Sequence, residues 1–213
     1  LPKPVLSVQP GHEVAAGADV MLHCTIRLSK VVCFLYLEGQ ATALKISVEH
    51  TDFYLSRMDH SKGGRYSCQC YTEGTPINWS GVSNMLELVV RDHKLVRPSL
   101  SLKPLGRVQL GTNVTLWCTS GVQRAQFYFW KNWEIVGVIE QESNVATFVL
   151  PHVMGHNGGT YTCSYRPWSQ RYISSQPSNS VLLTVVDYTR SNIVRLALGV
   201  GVLILLGLMV AEA

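Results

Sequence analysis

Short runs of alternating apolar and polar residues recur through the first 185 positions. Val114, Leu116 and Cys118 fall on one face of a strand, and Asn113, Thr115 and Trp117 fall on the other. Leu86, Leu88 and Val90 alternate in the same way, as do Val181, Leu183 and Val185. Turn residues separate these runs, so the pattern predicts an all-β antiparallel sandwich. Beyond position 192 the pattern changes. Residues 193–211 are apolar throughout except for Arg195. As a helix these 19 residues span about 28 Å, close to the hydrocarbon thickness of a bilayer. A helix starting at Leu196 would be only about 24 Å long, which is short for a span. Arg195 is therefore expected inside the membrane, near one end of a single transmembrane helix.

The sandwich pattern occurs twice. Pro4-Val5-Leu6-Ser7-Val8 followed by Val20-Met21-Leu22-His23-Cys24 returns as Pro98-Ser99-Leu100-Ser101-Leu102 followed by Val114-Thr115-Leu116-Trp117-Cys118, at an offset of 94. Gly63-Gly64-Arg65-Tyr66-Ser67-Cys68 returns as Gly158-Gly159-Thr160-Tyr161-Thr162-Cys163 at an offset of 95, and Ser80-Gly81-Val82-Ser83 is echoed by Ser175-Gln176-Pro177-Ser178. The period is too long for a solenoid unit. Two tandem domains are expected at residues 1–91 and 92–185, then a short stalk at 186–192 and a helix at 193–211.

The cysteines fix the domain type. Pairs Cys24–Cys68 and Cys118–Cys163 are separated by 44 and 45 positions, too few for the extra strands of a variable-type domain. Tyr66 and Tyr161 lie two residues before the second cysteine of each pair, the place of a tyrosine corner. Constant-type immunoglobulin-like domains follow, with a fibronectin-type sandwich as the alternative on the strength of Trp79-Ser80. Cys33 and Cys70 remain. Leu35 is expected level with Cys68 on neighbouring antiparallel strands, which sets Cys33 opposite Cys70. A third disulfide and two buried free thiols both fit that register.

Composition narrows the function classes. The formal charge of +4 is scattered, and no basic cluster interleaves with aromatics, so a nucleic-acid role is not supported. No nucleophile stands at a recognisable spacing from His and Asp partners, no glycine loop suits a phosphate, and His152 and His156 sit in a turn-rich stretch rather than on one helix face. Neither an enzyme nor a metal or cofactor is expected. Asn78-Trp79-Ser80 and Asn113-Val114-Thr115 are acceptor triplets for N-glycans at Asn78 and Asn113. An intramembrane arginine costs several kcal/mol unless it snorkels or meets a carboxylate. Glu212 lies at the far end of the run, so the partner of Arg195 is expected on another protein.

The opening Leu1-Pro2-Lys3-Pro4, the Trp79-Ser80-x-x-Ser83 box, the paired Cys and Tyr-x-Cys elements, and the segment Asp187-Tyr188-Thr189-Arg190-Ser191-Asn192-Ile193-Val194-Arg195-Leu196 together resemble the immunoglobulin-like receptors of the leukocyte receptor cluster. The resemblance implies a single-pass type I receptor at the plasma membrane, with its ectodomain outside the cell. For Arg195 it implies pairing with an Fc receptor γ-chain-type signalling adaptor. It also implies an extracellular protein ligand: collagen, with immunoglobulin Fc or a class I histocompatibility molecule as alternatives. A non-signalling adhesion or decoy receptor is the competing function. If Phe127 and Phe129 point into the second core, alternation turns Tyr128 and Trp130 outward, with Trp133 just beyond them. Trp168 and Tyr172 follow Cys163 on the neighbouring strand pair. These five aromatics are the expected ligand face, suited to a proline-rich extended chain such as collagen.

Overall fold

The computed structural model describes residues 1–48, 51–74, 76–187, 193–202 and 204. The first domain comprises β1 (Val5–Gln9), β2 (Glu13–Ala15), β3 (Val20–Thr25), β4 (Val31–Leu37), β5 (Lys45–Val48), β6 (Asp52–Leu55), β7 (Gly64–Thr72), β8 (Asn78–Trp79) and β9 (Leu86–Arg91). The second comprises β10 (Ser99–Lys103), β11 (Arg107–Gln109), β12 (Val114–Thr119), β13 (Ala125–Lys131), β14 (Glu134–Gln141), β15 (Val145–Leu150), β16 (Gly159–Pro167), β17 (Ile173–Ser174) and β18 (Val181–Val186). In each domain a three-stranded sheet, β1-β3-β6 or β10-β12-β15, faces a larger one built on β9-β7-β4-β5 or β11-β18-β16-β13-β14.

Period-two alternation fills the space between the sheets. Val20, Leu22 and Cys24 of β3 point inward, as do Val114, Leu116 and Cys118 of β12, and all six are buried. Tyr66, Cys68 and Cys70 of β7 meet them in the first core, and Phe127, Phe129, Cys163 and Tyr165 in the second. Each such apolar side chain contributes about 1.5–3 kcal/mol on burial. The disulfides Cys24–Cys68 and Cys118–Cys163 tie sheet to sheet, with Cα–Cα distances of 6.2 and 6.3 Å. Leu35 pairs with Cys68 and Cys33 with Cys70 across β4 and β7, and Cys33 and Cys70 are bonded within that one sheet. Tyr66 and Tyr161 each donate a 2.6 Å hydrogen bond to a carbonyl four residues upstream, of Lys62 and Asn157.

The repeated serines have a structural cause. Ser80 and Ser83 donate their N–H groups to the carbonyls of Cys70 and Cys68, and their hydroxyls accept from the N–H groups of those same cysteines. Ser175 and Ser178 do the same at Tyr165 and Cys163. At these positions the hydroxyl stands in for the carbonyl that a regular partner strand would present, so the buried amides of β7 and β16 are satisfied. The asparagine that follows each box extends the arrangement. Asn84 bonds both backbone groups of Leu6, and Asn179 both of Leu100.

The domains are joined by more than a linker. Strand β17 belongs to the second domain in sequence, yet it pairs in parallel with β9 of the first, Ile173 opposite Val90 and Ser174 opposite Arg91. Ile173 is buried in the first domain's core. The approach is close enough that a Cβ on Gly63 would lie 2.7 Å from the Tyr172 carbonyl oxygen, so no larger residue fits there without movement. Leu95 packs against both cores.

Candidate functional site

The outward face of β13 and β16 is where the expected ligand aromatics lie. Phe127 and Phe129 point into the core, which places Tyr128 and Trp130 on the opposite face. That face is only partly free. Arg166 lays its guanidinium 4.4 Å from the centre of the Tyr128 ring, and its Nη1 donates to Glu87 of the first domain at 2.7 Å. A second carboxylate from the first domain, Glu13, lies 3.9 Å from Arg166 and is itself bonded to Arg91. Tyr128 is left 8% exposed and donates to the Gln126 side chain. Burial pushes its phenol upward, partly offset by the neighbouring Arg166 charge. Alternation turns Tyr128 outward as expected, and Arg166, held by Glu87 and Glu13 of the first domain, lies over its ring. Tyr172 is likewise drawn into the elbow, its carbonyl accepting from the Val90 amide and its side chain lying beside Arg65.

The remaining aromatics fall at the two ends of this covered strip. Trp130 is half-buried and donates its indole N–H to Ser164 at 3.0 Å. Trp133 is 90% exposed at the tip of the β13–β14 hairpin. It borders a groove of about 510 Å³ that Arg97, Asn132, Thr160, Thr162 and Pro177 also line. Trp168 is 37% exposed on the other side of Arg166, in a cleft of about 240 Å³ with Gln126, Glu140 and Arg171. Trp130 and Trp133 line one pocket, Trp168 and Tyr172 line another, and Tyr128 lies beneath Arg166 with its ring centre 6.5 Å from that of Trp130.

A second aromatic surface lies on the first domain and involves none of these residues. Phe34 and Tyr71 stack with ring centres 5.8 Å apart, and Trp79 lies 5.6 Å from Phe34 and 4.9 Å from Tyr71. Tyr36 continues the row, and Ile46 on β5 stands exposed opposite Phe34. The signal was present in Val31–Leu37, where alternation puts Val32, Phe34 and Tyr36 on the face opposite Cys33 and Leu35.

Both acceptor asparagines are exposed, Asn78 on β8 and Asn113 just before β12. The Asn113 side-chain oxygen accepts from the His152 amide at 2.9 Å. Residues 193–202 and 204 are helical, and Arg195 is exposed on that helix. The rest of the expected membrane run and most of the expected stalk lie outside the described residues. Among the described residues no helix is long and apolar enough to cross a membrane.

The immunoglobulin domain family matches residues 3–90 and 97–185. The mouse osteoclast-associated immunoglobulin-like receptor is 35% identical over 98% of this chain and 82% of its own length. Mouse platelet glycoprotein VI is 32% identical over 87% of this chain and 57% of its own length. The solved human OSCAR ligand-binding domain is 29% identical over 85% of this chain and 98% of that one, with a TM-score of 0.45. With two matched immunoglobulin domains and relatives at these identities, the chain belongs to the immunoglobulin-like receptors of the leukocyte receptor cluster, a non-enzymatic group that contains the osteoclast-associated receptor and glycoprotein VI.

Proposed function

We propose that this chain is the ligand-binding subunit of an activating, single-pass type I receptor of the plasma membrane, signalling through an Fc receptor γ-chain-type adaptor. The observation that carries this reading is Arg195, a lone cation in an otherwise apolar run of 19 residues. Transfer of an unpaired guanidinium into hydrocarbon costs several kcal/mol, and a membrane aspartate on a partner relieves that cost for both chains. A decoy or adhesion receptor has no use for such a cation. Positive charge that only fixed topology would be expected on the cytoplasmic side, whereas Arg190 and Arg195 both fall on the ectodomain side of the run.

The ligand we propose is collagen, with an immunoglobulin Fc or class I molecule as the competing partner. Collagen chains hold a polyproline-type backbone that is ordered before binding and that packs well on projecting aromatic rings. The exposed indoles of Trp133 and Trp168 support this reading for the second domain. The Arg195→Leu variant tests the adaptor: co-precipitation of a γ-chain-type dimer should be lost while surface expression of the folded ectodomain persists. Capture of the ectodomain on immobilised triple-helical peptide tests the ligand. If the unmutated protein is not retained, the Fc alternative takes its place.

A further inference from the structure

We infer that the two disulfides of the first domain form one exchange-competent sulfur cluster, in which loss of the Cys33–Cys70 bond lets Cys70 take Cys24 from Cys68. The geometry is specific to this domain. Cys68 and Cys70 lie two residues apart on β7 with both side chains in the core, so both sulfurs face Cys24 on β3. The Cys70 sulfur is 3.7 Å from that of Cys24, at van der Waals contact. The sulfurs of Cys24, Cys33 and Cys70 all lie within 4.8 Å of one another. The second domain has a single disulfide, and Tyr165 occupies the position corresponding to Cys70.

Thiol–disulfide exchange needs a thiolate beside a disulfide sulfur. Cys33 and Cys70 are buried, so it is on local opening of the sheets that a dithiol reductant of the Cys-x-x-Cys class attacks their bond, becomes oxidised to its own disulfide, and leaves thiols on Cys33 and Cys70. Cys70 then loses its proton to solvent, and its thiolate forms a bond to the Cys24 sulfur. The Cys24–Cys68 bond breaks, and Cys68 leaves as a thiolate that takes up a proton. This second step consumes no electrons. Burial raises a thiol's pKa, so the exchange is slow while the sheets stay closed.

The product keeps β3 tied to β7 but moves the tie by two residues, about 7 Å along the strand. It also releases the clamp between β4 and β7. Phe34 and Tyr71 directly follow Cys33 and Cys70 in sequence and stack on the opposite face of the same strands. The clamp therefore sits immediately behind the first domain's aromatic surface, and its redox state sets how firmly that surface is held.

Disulfide mapping of the full chain carrying Cys33→Ser, secreted or surface-expressed and alkylated without reduction, tests the inference. A Cys24–Cys70 peptide together with alkylated Cys68 is expected. The inference is overturned if the only bridge in this domain is Cys24–Cys68 and the label is confined to Cys70. Where the variant fails to fold, the unmutated chain treated with rising dithiol and then alkylated gives the same reading. Label on Cys33 and Cys68 supports exchange, whereas label on Cys33 and Cys70 alone, or no label before global unfolding, refutes it. Neither result depends on which ligand or adaptor the receptor uses.

Discussion

Arg166 lies 4.4 Å above the Tyr128 ring and reaches Glu87 of the other domain at 2.7 Å, so one side chain seals the second domain's sheet and joins the two domains. Its stem and head are largely buried, and its Nε has no hydrogen-bond partner among the described residues. A partly desolvated cation–π contact contributes about 1–2 kcal/mol, and the ion pair with half-exposed Glu87 adds little in salt. The Arg166→Met variant should keep the apolar cover of Tyr128 but lose the link to Glu87. Its second domain should melt within about 2 kcal/mol of the parent. Amide exchange at β13 and β9 should rise, and small-angle scattering should show a wider spread of interdomain angles. Unchanged exchange at both strands would mean that β17–β9 pairing alone holds the elbow.

The extent to which the sequence revealed this arrangement follows from the range of each interaction. The core faces of β3, β7, β12 and β16 were legible because alternation is local and the cysteines mark level positions on neighbouring strands. Cys33 facing Cys70 follows from the same arithmetic. The covering of Tyr128 was not legible. It depends on an Arg166–Glu87 contact between residues 79 apart, and on a two-residue strand, Ile173–Ser174, that crosses into the other domain. Nothing in the alternation of β13 distinguishes an outward residue facing solvent from one lying beneath a neighbouring strand's arginine. The Phe34, Tyr71 and Trp79 surface was legible strand by strand, but β8 is two residues long and gives no periodic signal to place Trp79 beside the others.

The serine boxes yield a stability prediction. Ser83→Ala removes the hydroxyl that accepts the buried Cys68 amide and leaves that donor without a partner. An unsatisfied buried group costs about 1–3 kcal/mol. Ser178→Ala should cost a similar amount in the second domain, where Cys163 loses its acceptor. Denaturant titration of each variant measures the loss. Ser80→Ala carries an additional effect, because Ser80 is also the third residue of the Asn78 acceptor triplet. That variant should lose both stability and any glycan at Asn78, whereas Asn78→Gln should lose the glycan alone.

Tyr66 provides a pH signature. Burial pushes its phenol from 10.0 up to about 12. A group whose pKa is higher in the folded than in the unfolded chain favours folding while it stays protonated in both states. Its contribution is complete below pH 10, declines as the unfolded phenol ionises, and is gone once the pH passes the folded value near 12. Melting temperature should therefore fall between these limits. Tyr66→Phe should be less stable at neutral pH by about 1 kcal/mol through loss of the bond to Lys62, and its melting temperature should fall less steeply over the alkaline range. A slope identical to the parent's would show that other groups control the alkaline transition.

Trp133 sets stability against binding. The β13–β14 hairpin turns on two residues, Asn132 and Trp133, with φ of 47° and 73°. Two positive values in a two-residue loop define a turn that favours Asn at its first position and Gly at its second. Asn132 meets the first preference. A tryptophan in the second position is strained, by about 1 kcal/mol or more for a residue with a Cβ. Burial does not offset the strain, since the side chain is 90% exposed. A large apolar ring held in an unfavourable conformation and left in water is the arrangement expected of a contact residue whose selection opposes stability. Trp133→Gly should therefore raise the second domain's stability by about 1 kcal/mol and reduce capture on triple-helical peptide. Trp133→Ala, which keeps the strain and loses the ring, should reduce capture equally without the gain in stability. If the glycine variant is more stable and binds as well as the parent, the indole is not a contact and the ligand surface must lie at Trp168 or on the first domain.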